Sequence, residues 1–132
     1  MLTILICLFI AVIFPILSKL PVAIAMVKMG HYDNKHPRKQ QSELEGFGAR
    51  AKAAHENAFE ALLMFAPGAL AVISLKCITP YSEWFAIAFI VSRVLYTAMY
   101  YLDLDKLRSP IWCVGFASSV ALMWQAVASQ FG

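Results

Sequence analysis

Four apolar blocks, each long enough to cross a bilayer, leave this chain few architectures. The first runs from Met1 to Leu17 without a charge, and after Lys19 it resumes from Leu20 to Val27. The second fills the later part of a helix-forming stretch that starts near Ser42 and ends near Lys76. The third is Tyr81–Leu102 and the fourth Ser109–Phe131. A helix needs roughly 20 apolar residues to cross the hydrocarbon layer. The expectation is therefore an all-α integral membrane four-helix bundle in one unit spanning residues 1–132, with helices at about 2–27, 42–76, 81–102 and 109–131. Only 14% of the residues are charged, against roughly 25% in a soluble domain. The net charge of +3 is small and localised, which argues against a nucleic-acid partner.

Pro15 and Pro21 should kink the first helix, so neighbouring helices must satisfy the carbonyls they free. Ala23-Ile24-Ala25 could be a signal-peptide cleavage site, but no Lys or Arg precedes the apolar run. Pro67 and Gly68 predict a bend in the second helix, and Pro110 suits the first turn of the fourth. Orientation follows from the links. Those after the first and third blocks hold Lys28, Lys35, Arg38, Lys39, Lys106 and Arg108, whereas the opposite side holds Lys76. The positive-inside rule places the basic links in the cytoplasm and both termini outside. Trp84 at one end of the third helix, and Tyr100 and Tyr101 at the other, suit interfacial aromatic belts.

Two sets of polar residues interrupt the apolar blocks. At about 100° per residue, Arg50, Asn57 and Glu60 fall in one sector of the second helix. Arg93, Tyr96 and Tyr100 share a face of the third. Taken alone, the first set reads as an interfacial polar face with snorkelling side chains. The second reads as a structural ion pair with two packed tyrosines. An ionisable group inside a span is costly unless it is paired or functional, so Glu60 must find Arg93, Lys19 or a ligand ammonium. At about 1.5 Å per residue, Glu60 lies ~24 Å from Lys76 and Tyr96 ~22 Å from Tyr81. The two sets thus meet at one depth, in the half carrying the basic links. An arginine, an amide, a carboxylate and two phenols suit a small zwitterionic ligand. Cys7, Cys77 and Cys113 show no metal-ligand spacing, and His31, His36 and His55 form no ligand set.

These motifs carry a resemblance. Arg50-x6-Asn57-x2-Glu60, preceded by Gly48 and followed by an apolar helix, resembles the second-helix signature of the membrane-associated proteins of eicosanoid and glutathione metabolism, the MAPEG family. Arg93-x2-Tyr96-x3-Tyr100 is similar to that family's glutathione-binding face on the third helix. Leu107-Arg108-Ser109-Pro110-Ile111-Trp112 resembles the mouth of its fourth helix. Ala53 departs from the pattern, since several members have arginine there. The resemblance implies a homotrimer with glutathione sites between protomers, in a bacterial inner (cell) membrane. It implies that Arg50, Asn57, Glu60, Arg93, Tyr96, Tyr100 and Ser109 hold glutathione as co-substrate, and that Arg108 stabilises its thiolate catalytically. The implied activity is glutathione transfer to, or peroxide reduction of, a lipophilic small-molecule electrophile, with membrane lipids as the protein's surroundings. The alternative is a non-catalytic homotrimer that keeps the polar cluster for assembly.

Overall fold

In the computed structural model, residues 1–131 are described, and their regular structure is helical throughout. Helix α1 is Leu2–Lys28, α2 is Pro37–Ser42, α3 is Gly46–Ser74, α4 is Pro80–Tyr101 and α5 is Asp105–Ala128. All except α2 are long and apolar enough to span a membrane. The chain is thus a four-helix integral membrane bundle. Large apolar side chains such as Phe9, Leu63, Trp84 and Trp124 lie exposed on its outer faces, as a surface solvated by lipid requires.

Small residues let the spans approach closely, the usual device where lipid removes the hydrophobic drive between helices. Ala51, Ala54, Ala58, Ala61 and Ala69 of α3 are all buried. Phe65 and Phe89 stack at 4.1 Å, joining α3 to α4 at the centre of the core. A Cβ on Gly68 would lie 2.9 Å from the Met123 amide nitrogen of α5. Gly68 is therefore a close-approach residue, and α3 runs unbroken through Pro67. In α1, the Pro15 carbonyl accepts from Ser18 Oγ at 2.8 Å and from His55 Nδ1–H of α3 at 2.9 Å. The neighbouring helix thus supplies a donor at the first proline.

Two boundaries differ from the sequence expectation. The stretch from Ser42 to Gly46 is not helical throughout: α2 ends at Ser42, and α3 restarts at Gly46, whose φ of +53° lies in the left-handed region. Helix α5 begins at Asp105, so Pro110 sits inside it rather than in its first turn. Pro110 therefore has no N–H to donate to the Lys106 carbonyl four residues before it. Both α3 and α4 close with left-handed non-glycine residues, Lys76 and Asp103. At α4 the Leu104 N–H donates to the Met99 carbonyl at 2.9 Å, and the Asp103 N–H to the Tyr100 carbonyl at 3.2 Å, which is a Schellman closure.

Side chains tie the two ends of the bundle differently. At one end, Gln125 of α5 accepts from Ser82 Oγ at 2.6 Å and donates to Thr79 Oγ1, so it braces the capping box that starts α4. At the other end, Gln40 of α2 donates to the carbonyls of Met26 and His31 and accepts from the Asp33 amide. The amides of His36 and Lys35 donate to the partly exposed Asp33 carboxylate and hold its pKa below the usual carboxylate value.

Residue Met1 meets Glu83 at the start of α4, on the end braced by Gln125. The start of α1 and the end of α5 therefore lie on the side away from the basic links. Reporter fusions at the C-terminus should be active only when the reporter works outside the cytoplasm. Activity of a cytoplasm-restricted reporter there would invert the orientation.

Candidate functional site

Arg93 is almost wholly buried, 5% exposed, at the junction of three helices. Its Nη1 donates across to Asn57 Oδ1 of α3 at 3.2 Å, and its Nη2 to the Trp112 carbonyl of α5 at 3.4 Å. Its Nε lies 3.3 Å from Ser92 Oγ. The rings of Phe89 and Tyr96 lie 5.7 and 4.9 Å from its guanidinium carbon. The sequence reading as an ion pair is corrected in one respect: among the described residues no carboxylate contacts Arg93. Dipoles and aromatic faces compensate the cation instead. Asn57 passes the interaction on, its Nδ2 donating to Glu60 Oε2 at 3.0 Å. Glu60 then presents an exposed carboxylate on the outer face of α3, contacting neither Arg93 nor Lys19.

Local sequence makes this junction possible. Arg93 projects from α4 onto the turn of α5 that contains Gly115. A Cβ there would lie 2.5 Å from both Arg93 Nη2 and Ser92 Oγ. Glycine is the side chain that leaves room for the guanidinium.

Beside the junction, α4 and α5 frame an open groove of about 310 Å³, lined by Tyr96, Tyr100, Arg108, Ser109, Trp112 and Cys113. Tyr96 and Tyr100 meet edge to face, with centroids 5.2 Å apart. The guanidinium of Arg108 lies 4.1 Å above the Tyr100 ring. A guanidinium held by its face keeps its edge N–H donors available in the plane. Among the described residues no carboxylate pairs with Arg108. The groove therefore offers a fixed cation in the first turn of a helix, two phenols and a hydroxyl. Such surroundings favour an anion, and a thiolate over a thiol.

Four of the eight sequence-identified residues, Tyr96, Tyr100, Arg108 and Ser109, line this groove. Arg93 touches it through Tyr96 and the Trp112 carbonyl. Asn57 and Glu60 lie on the α3 side of Arg93. Arg50 stands apart. Its Nε donates to the Tyr100 carbonyl at 3.1 Å, and its Nη1 lies 3.7 Å from Asp103 Oδ2. It thus fastens the end of α4 that carries Tyr100. Sequence reasoning gave Trp112, the last residue of the fourth-helix motif, no role, and missed Cys113. The signal was present, because they follow Arg108 and Ser109 by one helical turn and so share their face. A larger groove of about 440 Å³ lies between the end of α1 and the start of α3, bordered by Lys28, Glu43 and Phe47, and is lined by none of the eight sequence-identified residues. Among the described residues no group of His, Cys, Asp and Glu is placed to hold a metal.

The family model described as the MAPEG family matches residues 3–128. No curated protein and no solved structure matches the chain.

Gly115→Ala should displace Arg93 and Ser92 together. Overpacking of this kind costs about 1–3 kcal/mol. Thermal unfolding in detergent should show a lower Tm. An unchanged Tm would mean that the junction has slack and that Arg93 is not fixed by α5.

Proposed function

The chain belongs to the MAPEG family, which includes glutathione transferases and related proteins, and on that footing we propose that it binds glutathione as a co-substrate and directs its thiolate at a lipophilic electrophile. The observation that supports this most is the Arg108 guanidinium, seated on the Tyr100 ring at the mouth of the α4–α5 groove without a carboxylate partner. The ligand thiolate takes the place of that partner. Tyr96, Tyr100 and Ser109 supply hydroxyl donors around it. Arg50 acts through Tyr100, whose carbonyl it holds, and is a positioning residue. Arg93 orients Asn57 and, through it, Glu60.

Chemistry at this site is simple in outline. The thiol proton leaves to water as the sulfur settles beside Arg108. In transfer, the sulfur forms a bond to the electrophilic atom, and the leaving group departs with the electron pair of the broken bond. In peroxide reduction, two thiols are oxidised to one disulfide while the hydroperoxide is reduced to an alcohol and water.

The unit proposed is a homotrimer with sites between protomers. Glu60 supports this, since a carboxylate on an outer helix face at membrane depth needs a cation from beyond its own protomer. The ammonium of glutathione is the cation proposed, and the membrane proposed is the inner membrane of a bacterium. A second reading has one observation in its favour: Arg93 already has acceptors in Asn57, Ser92 and Trp112. In that reading the polar cluster serves assembly alone and the protein is not catalytic. Calorimetric titration with glutathione, followed by the absorbance of the thiolate on binding, separates the two.

Glu60→Ala should weaken glutathione binding by about tenfold or more, because removing one partner of a desolvated charge pair costs several kcal/mol. Unchanged affinity in a folded trimer would remove Glu60 from the site.

Arg108→Lys should insert, assemble and bind glutathione, yet turn over a model electrophile about tenfold more slowly or worse. Lysine keeps the charge but loses the planar, multi-donor head that stacks on Tyr100. Wild-type turnover would move the thiolate-stabilising role to Tyr96 or Tyr100.

A further inference from the structure

We propose that Trp112 and Phe116 form an aromatic platform that selects flat aromatic electrophiles over saturated ones; this rests on the glutathione reading above. Trp112 lines the groove beside Arg108 and Cys113. Phe116, one turn along α5, stacks on it with ring centroids 5.2 Å apart and planes 7° from parallel. The two rings thus lie one over the other as an offset stack, which leaves the far face of each ring uncovered by its partner. Trp112 is half-buried and Phe116 is 43% exposed, so the surface is open on its outer side. Val120 and Trp124 continue it at the same helical spacing, and both are exposed. A ligand dissolved in the bilayer therefore meets apolar surface continuously up to the groove.

The platform is also fixed in place. The Trp112 carbonyl accepts from Arg93, and Gly115, between the two rings in sequence, packs against that guanidinium. The backbone of this turn is anchored to α4, so the ring pair can present a surface of fixed tilt beside Arg108. Aromatic rings prefer offset stacks with other rings and gain from it beyond area burial. A saturated chain gains the area alone. An aryl halide lying on Trp112 has its ring carbon next to the groove. The thiolate sulfur bonds to that carbon, and the halide leaves with the electron pair of the carbon–halogen bond. The thiol proton has already gone to water.

Phe116→Leu removes the outer ring and keeps an apolar side chain at an exposed position. With glutathione saturating, kcat/KM should fall about tenfold for a nitro-substituted aryl chloride and stay within about twofold for a long-chain alkyl hydroperoxide. Glutathione affinity by titration should be unchanged. Equal loss for both electrophiles, or loss for neither, overturns the platform. If the wild-type protein binds no glutathione, the reading above fails, and the platform is tested by binding alone. In the Trp84→Phe, Trp124→Phe background, Trp112 is the only indole. An unreactive nitroarene should quench its fluorescence saturably, and Phe116→Leu should weaken that binding. Quenching without saturation, or unaffected by Phe116→Leu, would mean that the stacked rings meet lipid or a neighbouring protomer only.

Discussion

A cation at hydrocarbon depth must find all its partners within protein, because no water is there to supply them. Arg93 meets that demand with an amide from α3, a carbonyl from α5, a hydroxyl from its own helix and two aromatic faces. Each partner fixes a neighbour. Asn57 is held so that its other end reaches Glu60. The Trp112 carbonyl is held so that its ring faces the groove. Gly115 is the residue α5 uses to let the guanidinium in. One side chain therefore sets the relation of three spans, and the groove lies against it.

The remaining contacts follow the same economy of polar groups. His55 and Ser18 both serve the Pro15 carbonyl and so tie α3 to α1 at its first proline. Arg50 and the Asp103 amide share the Tyr100 carbonyl at the end of α4. Gln125 braces the start of that helix from α5. Between these polar ties the helices meet through alanine, glycine and stacked phenylalanine, which require close approach and no solvent.

Function, in the reading proposed, depends on the difference between the two arginines of this region. Arg93 is enclosed and committed to the protein. Arg108 is held by one face only, at the end of the bundle that carries the basic links. The same residue type thus serves architecture at one depth and is left available for an anion at another.

The number of spans and the membrane class were written in the four apolar blocks, since hydrocarbon permits so few ways to satisfy a backbone. The spacing of Arg93, Tyr96 and Tyr100 likewise placed them on one face, because helical geometry within a single element needs no partner. Three things required the tertiary structure. The break at Glu43–Glu45 came from a left-handed Gly46, in a stretch whose composition reads as continuous helix. Arg50, in register with Asn57, reached instead to the end of α4, where it shares the Tyr100 carbonyl and meets the Asp103 carboxylate. And Trp112 and Cys113 joined the groove only when α5, beginning at Asp105, brought the turn after Arg108 against α4. Which side chains share an element's face is a local property of sequence. Which faces meet is decided by packing between elements distant in the chain.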